Sequence, residues 1–170
     1  MIWFTSDLHL GHRAAINMCE RPFETVEEMN EILIYNFNSC VKKNDTVYIL
    51  GDIAHRTPVD VVNQWIAGLN GKKILCKGNH DKRYNEELFA GIYDFLGISI
   101  HGVNVSLMHY PMMSWPKSRH GSLHLHGHIH SKGDYNLQQR KEGILRYDVG
   151  VDANGYYPVS IEQVREFLGI

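Results

Sequence analysis

Residues 45–81, DTVYILGDIAHRTPVDVVNQWIAGLNGKKILCKGNHD, contain the clearest fold signal in the chain. It opens with a short apolar run that ends in Gly-Asp, and it closes with a second run that ends in the polar residues 78–81. Between the two runs, Pro58 stands at a favourable first helical position, and the helical pattern ends near Gly68. Two strands joined by a helix predict a β-α-β unit with parallel strands and the helix on one face of the sheet.

The chain before this unit repeats the pattern. Residues 1–7, MIWFTSD, form another apolar run with a polar end, which predicts a buried first strand. Residues 11–20 suit a short helix. Residues 25–41 have apolar side chains at close to helical spacing behind Thr25 and Glu28, a capping-box pair. The first half therefore predicts strands and helices in alternation around a partly parallel sheet.

The second half contains mainly strand signals. Residues 97–110, GISIHGVNVSLMHY, predict two strands around a central His-Gly pair. SLHLHG (122–127) and GILRYDVG (143–150) predict two more strands. Since few helical signals separate these segments, we expect mainly antiparallel pairing among them.

A closing helix completes the pattern, because Ser160 and Gln163 form a capping-box pair at the start of SIEQVREFLG. We therefore expect one domain over residues 1–170 with an α/β fold. Its architecture is predicted to be a four-layer α-β-β-α sandwich, in which two mixed β-sheets pack face to face with helices outside.

Composition narrows the class of protein. The 170 residues are 44% hydrophobic and 21% charged, which is typical of a globular protein and excludes a disordered or fibrous chain. A net charge of −2 gives no strong nucleic-acid-binding signal. The N-terminal segment has no basic region and no long apolar run, so no signal peptide or membrane span is expected. The three cysteines are widely spaced without a CxxC pair, which suits a cytoplasmic protein with reduced thiols.

Polar clusters follow the predicted strands, and histidine is prominent in them. They are, in chain order, DLH (7–9), GD (51–52), GNHD (78–81), MHY (108–110) and GHIH (127–130). These clusters supply carboxylate, imidazole and amide groups, but no thiolate. Functional sites in α/β folds lie at strand ends. Five such clusters are difficult to explain by chance, and they predict a metal centre.

The order D-x-H, G-D, G-N-H-D, lone His and G-H-x-H resembles the calcineurin-like metallophosphoesterase superfamily over nearly the whole chain. The HYPM segment and the RPF at residues 21–23 are similar to a small single-domain bacterial and phage branch of that superfamily. The resemblance implies a dinuclear metal-dependent phosphoesterase.

The resemblance also implies a division of the metal ligands. Asp7, His9 and His130 would bind one ion, Asn79, His109 and His128 would bind the other, and Asp52 would bridge both. Mixed oxygen and nitrogen ligands suit two divalent transition metal ions, with Mn placed ahead of Fe, Zn, Ni and Co. Two ions about 3.5–4 Å apart clamp a phosphoryl group and hold a bridging hydroxide, which attacks phosphorus in line with the leaving oxygen.

Further roles follow from the same resemblance. His80 would be the general acid that protonates the leaving group, and Asp81 would hydrogen-bond its imidazole. His12, His55 and Arg56 are candidate substrate contacts. Related protein phosphatases carry G-D-x-V-D-R-G where this chain has G-D-I-A-H-R-T, which argues against a dedicated phosphoprotein phosphatase. It also leaves Arg56 open between a substrate contact and a solvated loop.

Other polar residues have plainer interpretations. Arg13 and Arg21 follow the first motif. Each either contacts phosphate or lies on a solvated helix face, and we favour the solvated face for Arg13. In the loop 110–122, Trp115 is expected to pack beneath the loop, with base stacking as the alternative. Asp148 and Asp152 are expected in turns or beside metal ligands.

The run LHLHGHIHS, residues 123–131, divides in two. His128 and His130 are predicted ligands on a loop that begins at Gly127, where glycine is expected to permit a sharp turn. His124 is expected to be a packed strand residue, and His126 to be a packed residue or a partner of a ligand.

The expected substrate is a phosphodiester, because a general acid assists a poor alkoxide leaving group. The chain has no room for a cap domain, so an open site is predicted that admits nucleotide-like diesters. A phosphomonoesterase with the same site is the first alternative. A non-catalytic metal-binding scaffold is the second, and the complete set of motif residues argues against it.

We predict that a chelator abolishes phosphoesterase activity and that added Mn²⁺ restores it, because the ligand set is built for divalent ions. The measurement is the hydrolysis rate before and after dialysis against EDTA. Activity that survives in protein shown by metal analysis to be metal-free would contradict the metal mechanism.

Overall fold

The computed structural model describes all residues, 1–170, and contains two β-sheets with five α-helices. The strands are β1 (Ile2–Thr5), β2 (Thr46–Ile49), β3 (Lys72–Cys76), β4 (Gly91–Tyr93), β5 (Phe95–Ile100), β6 (Val103–Met108), β7 (Leu123–His126), β8 (Arg146–Asp148) and β9 (Val159–Ser160). The helices are α1 (Arg13–Met18), α2 (Val26–Cys40), α3 (Val59–Gly68), α4 (Asp134–Lys141) and α5 (Ile161–Leu168). None of these helices has the length and apolar character needed to cross a bilayer.

The first sheet has the strand order β4-β3-β2-β1-β9. Strands β1 to β4 are parallel to one another, and β9 pairs antiparallel with β1. The predicted β-α-β unit is confirmed as β2-α3-β3. One face of this sheet packs against α2 and α3 through a cluster that includes Met29, Leu33, Phe37, Val47, Ile49, Val62, Ile66 and Leu75.

The opposite face of the first sheet packs against the second sheet. Their shared cluster includes Phe4, Leu50 and Cys76 from the first sheet and its strand ends, and Val105, Leu107, Leu123 and Leu125 from the second. Helix α5 adds Ile161, Val164 and Leu168 to this cluster. The α/β architecture of two mixed sheets packed face to face with helices outside is therefore confirmed.

The second sheet corrects one prediction. Its order is β5-β6-β7-β8, and only β5 and β6 pair antiparallel, whereas β6–β7 and β7–β8 are parallel. The expectation of mainly antiparallel pairing is wrong because parallel neighbours need long crossovers, and this half of the chain supplies them. One is the connection 109–122, and the other contains α4.

Helix α4 was missed because it has no apolar face. Its buried side chains are Asn136 and Gln139, and its Leu137 is 39% exposed. Asn136 accepts from the Asp148 N–H and donates to the Asp148 carbonyl, at 2.8 and 3.0 Å. The helix is thus held to β8 by hydrogen bonds, and hydrophobic periodicity does not detect that kind of packing.

The predicted starts of α2, α3 and α5 are confirmed within one residue, whereas α1 covers only Arg13–Met18 of the predicted residues 11–20. The Thr25 hydroxyl caps α2 by accepting from the Glu28 N–H, and Ser160 and Gln163 form the complete capping box of α5. Pro58 occupies the N-cap position of α3 and not its first helical position. The predicted His-Gly turn joins β5 to β6 with both residues at positive φ, as in a type I′ hairpin.

We predict that Leu107→Ala lowers the free energy of unfolding by about 2–5 kcal/mol, because Leu107 is fully buried between the two sheets. Urea denaturation measures the change. Leu137→Ala on α4 is the matched control and should change stability by less than about 1 kcal/mol. Equal effects of the two substitutions would contradict the inter-sheet core.

Candidate metal centre and active cleft

The five predicted polar clusters converge at one end of the two sheets. Each follows the carboxyl end of a strand, and β1, β2 and β3 in one sheet and β6 and β7 in the other run parallel within their sheets. The clusters meet at a cleft of about 300 Å³. It is lined by His9, His12, Ala15, Met18, Cys19, Asp52, Asn79, His80, His128 and His130.

Asp7, His9 and His130 form a compact candidate metal cluster, with ligand atoms within 4.8 Å of one another. The Nε2 atoms of His9 and His130 are 3.1 Å apart, and His130 Nε2 is 3.9 Å from Asp7 Oδ1. Asp7 is completely buried; its Oδ2 accepts from the His128 N–H, while its Oδ1 has no hydrogen-bond partner. A buried carboxylate oxygen without a donor is a fitting ligand for a cation.

The charges in this cluster also fit a cation. Burial raises the pKa of Asp7 to about 8 and lowers the pKa of His9 to about 2. Burial opposes protonation of His130 too, but hydrogen bonds to Asp152 and Cys19 outweigh it and raise the pKa of His130 to about 10. In the protein alone, protonated His130 therefore donates to neutral His9, and a bound divalent cation would replace that proton.

Asp52 lies between the two halves of the site and is buried. Its Oδ2 is 3.5 Å from His9 Nε2 and 3.6 Å from His109 Nε2, while its Oδ1 accepts from the His80 N–H at 2.9 Å. Asp7, Asp52 and His109 form a second candidate cluster. One carboxylate oxygen nearly equidistant from two imidazoles has the position that a bridging ligand needs.

The remaining predicted ligands surround His109. Its Nδ1 donates to the Leu50 carbonyl at 2.7 Å, so its Nε2 carries the lone pair and faces Asn79 Oδ1 at 3.0 Å. Two electron-pair donors at this separation suit a shared cation. The ring of His128 lies 5.0 Å from that of His109 and 4.6 Å from that of Tyr110, on the outer side of this group.

Most of these predicted ligands have left-handed backbone conformations. A non-glycine residue at positive φ costs on the order of 1–3 kcal/mol and persists only where its surroundings enforce it. The concentration of such residues here supports a functional site. They are Asp7 (58°), His9 (51°), Asp52 (55°), His128 (74°) and His130 (46°).

Gly127 begins the predicted turn, because the Ile129 N–H donates to the Gly127 carbonyl at 3.0 Å. Its φ is outside the positive region, so the backbone conformation does not itself require glycine. A Cβ at this position would collide with Ser6 Oγ and Asp7 Oδ2. The absence of a side chain lets the loop that carries His128 approach the buried Asp7 carboxylate closely.

Asp81 does not orient the His80 imidazole, so that expected hydrogen bond is wrong. Both carboxylate oxygens bond elsewhere because the carboxylate faces the loops after β2 and β3. Its bonds, all 2.8 to 2.9 Å long, come from the N–H groups of Asp52, Ile53 and Gly78 and from the hydroxyl of Tyr84. Asp81 therefore braces the backbone that presents Asp52.

His80 itself stands on the wall of the cleft. Its side chain is 36% exposed, and its Nε2 lies 4.0 Å from Asp52 Oδ2. The His55 ring packs edge-on against it at 4.2 Å, and the His12 ring lies 4.3 Å from that of His55. Burial lowers the pKa of His12 to about 4. The structure thus places His12 in the cleft lining and His55 directly behind it, in contact with His12 and His80, whereas Arg56 is exposed and outside the lining.

The cleft also contains residues that sequence reasoning missed. Ala15, Met18 and Cys19 of the α1 segment line it, and Cys19 Sγ is 3.4 Å from His130 Nδ1. The sequence predicts only that Cys19, like the other two cysteines, is a reduced thiol. One sequence feature indicates this location. Helix α1 directly follows the D-x-H motif, so it begins beside the site.

Residues on the outer face of the second sheet confirm the structural roles that the sequence predicts for Trp115, His124 and His126. Trp115 is 8% exposed and donates to the Ser122 carbonyl beneath its loop. His124 is fully buried; its Nδ1 bonds the Ser106 carbonyl and its Nε2 accepts from the Met112 N–H. His126 bonds the Tyr135 hydroxyl and the Gly127 carbonyl. Neither histidine contacts a predicted metal ligand's side chain.

Comparison with known proteins agrees with this geometry. The calcineurin-like phosphoesterase family profile matches residues 1–152. An uncharacterized protein of Methanocaldococcus jannaschii is 34% identical over 98% of this chain and 90% of its own length. The Gene 66 protein of Mycobacterium phage L5 is 29% identical over 90% of this chain and 87% of its own length. A solved structure of a protein of unknown function from Aquifex aeolicus superposes with a TM-score of 0.74, at 27% identity and 98% coverage of both chains.

The chain therefore belongs to the calcineurin-like phosphoesterase family, and the predicted family is confirmed. Membership implies a phosphoester substrate and divalent metal ions. The unpartnered Asp7 Oδ1 and the facing imidazole nitrogens fit such ions.

We predict that Gly127→Ala weakens Mn²⁺ binding at least about tenfold, because a methyl group would displace Asp7 or the loop that carries His128. Titration calorimetry on metal-free protein measures the affinity. Gly133→Ala is the matched control, since a Cβ there meets no atom within 4 Å. Unchanged affinity in the Gly127 variant would show that close approach at this point is not needed.

Proposed function

We propose that the protein is a dinuclear metal-dependent phosphodiesterase. The observation that carries the proposal is the position of Asp52 Oδ2, 3.5 Å from His9 Nε2 and 3.6 Å from His109 Nε2. A single carboxylate between two groups of nitrogen and oxygen donors supports a pair of ions and not one.

In this proposal the first ion is held by Asp7, His9 and His130, the second by Asn79, His109 and His128, and Asp52 is shared. The donors are oxygen and nitrogen atoms, which favours Mn, with Fe, Zn, Ni and Co as alternatives. When bound, the two ions supply a water that ionises near neutral pH and stabilise the charge that develops on the phosphoryl oxygens.

His80 is assigned the general-acid role, which is to give a proton to the leaving oxygen. Its imidazole is partly exposed to the cleft, and its backbone N–H is fixed by Asp52 Oδ1. Asp81 contributes indirectly, because it holds the N–H groups of Asp52 and Gly78 and so sets the relative position of the two loops. His12 and His55 form the wall beside His80 and are the proposed substrate contacts.

Charge favours a diester over a monoester. The cleft lining contains imidazole, carboxylate, amide, thioether and thiol groups, but no lysine or arginine. A monoester carries up to two negative charges near neutral pH, whereas a diester carries one. Arg56 and Lys82 lie outside this lining, although their charges add to the effect of burial in lowering the pKa of His55. Because no guanidinium or ammonium group lines the cleft itself, we infer a diester substrate, which includes nucleotide-like molecules. A cytoplasmic location and a single domain over residues 1–170 stay predictions.

We predict at least tenfold higher kcat/KM for bis-p-nitrophenyl phosphate than for p-nitrophenyl phosphate at equal Mn²⁺ loading.

Asp52→Asn should abolish both activities because it removes the shared ligand. His80→Ala should lower kcat by about 10²–10⁴-fold, with a larger loss for diesters that have alkoxide leaving groups, since these depend most on a proton donor.

His101→Ala is the matched control for His80→Ala, because His101 is an exposed histidine in the β5–β6 turn and should leave kcat unchanged. A tenfold preference for the monoester would reassign the protein as a phosphatase. Failure of the fully metal-loaded protein to hydrolyse any phosphoester in a broad screen would favour the non-catalytic scaffold.

A further inference from the structure

Arg21, at the start of the RPF sequence, has no role in the proposed function, yet its side chain is completely buried. Arginine is almost never fully buried unless it is paired. It does not face the cleft, so neither a phosphate contact nor a solvated helix face, the two sequence-based interpretations, describes it. Its hydrogen bonds show what it holds.

The Arg21 guanidinium joins two distant segments. Nε donates to Asp152 Oδ1 and Nη2 to Asp152 Oδ2, both at 2.8 Å, which is a bidentate ion pair. Nη2 also donates to the Asp7 carbonyl at 2.7 Å, and Nη1 donates to the Leu8 carbonyl at 3.0 Å. One side chain therefore ties the backbone that carries Asp7 and His9 to Asp152.

Asp152 continues this connection to a second part of the site. Its Oδ2 accepts from His130 Nδ1 at 2.7 Å. A proton held at Nδ1 leaves Nε2 facing Asp7 Oδ1 and His9 Nε2, where a cation would replace the Nε2 proton. Carboxylates in this position fix the tautomer and the ring orientation of metal-binding histidines.

We propose that Arg21 is a positioning residue for the first metal ion, acting on His130 through Asp152 and on Asp7 and His9 through the backbone. The inference rests on the proposed metal assignment. The hydrogen bonds of Arg21 reach the Asp7 carbonyl, the Leu8 carbonyl next to His9, and His130 through Asp152. None of its own hydrogen bonds goes to a residue assigned to the second ion, where the Leu50 carbonyl orients His109. Loss of the bidentate Arg21 contact should therefore weaken binding of the first ion and leave binding of the second ion unchanged.

The surrounding structure allows a clean test. Phe23 is buried and packs on Tyr156 with ring centroids 5.1 Å apart, so the segment stays anchored when Arg21 is changed. Arg21→Lys keeps the positive charge beside Asp152 but cannot make the bidentate fork. Asp152→Asn keeps the shape but weakens the bond to His130. Arg13→Lys, at an exposed position, is the control.

The experiment measures Mn²⁺ binding to metal-free protein by titration calorimetry, with bound metal counted by elemental analysis. Wild type and Arg13→Lys should bind two ions. Arg21→Lys and Asp152→Asn should bind one ion with unchanged affinity and the other about 10–100-fold more weakly. Their kcat should recover at high Mn²⁺ concentration, and wild-type circular dichroism of the metal-free variants at the assay temperature separates weaker metal binding from general destabilisation, since metal also stabilises the folded state.

The positioning role would be overturned if the variants have wild-type circular dichroism and bind both ions with unchanged affinity. It would also be overturned if both ions bind more weakly by the same factor. If Arg21→Lys does not fold, the Asp152→Asn result decides by the same criteria. Wild-type protein that binds only one Mn²⁺ would contradict the dinuclear function. In that case an Arg21→Lys affinity within threefold of wild type would overturn the positioning role as well.

Discussion

The buried carboxylate of Asp7 is the constraint on which the site depends. It is fully enclosed where the ends of the two sheets meet, and one of its oxygens has no hydrogen bond. A buried negative charge is tolerated only beside a positive charge or a set of donors. In the protein alone, the His128 N–H and the positive charge of His130 meet that requirement only in part, because burial still raises the pKa of Asp7 to about 8. The same arrangement prepares the site for a divalent cation.

Strand direction explains how ligands from two sheets reach one point. Since β6 and β7 are parallel, His109 and the loop carrying His128 and His130 emerge at the same edge of the second sheet. An antiparallel pair would have placed them at opposite edges. The long connection 109–122 is thus a condition for the site, although it packs on the outer face of the sheet and contributes its buried Trp115 to structure.

Elements with a local signal were predictable. The β2-α3-β3 unit, the capped helices α2 and α5 and the β5–β6 hairpin all follow from apolar spacing or from short-range hydrogen bonds. Helix α4 was not predictable in this way, because its attachment to β8 consists of polar side chains. The polar clusters that contain the proposed ligands were recognisable for a similar reason, since each follows an apolar run, whereas the assignment of individual ligands rests on the family resemblance.

The donor chemistry of the proposed metal ligands and their location at strand ends can be recognised in the sequence, because residue chemistry and apolar periodicity are local properties. The partners of those side chains follow only from the folded arrangement of the chain. Asp81 braces backbone from two loops, Gly127 admits Ser6 and Asp7 at close range, and Arg21 reaches Asp152 across 131 positions of the chain. Such partners depend on how distant segments pack, and no pattern within a single segment records that.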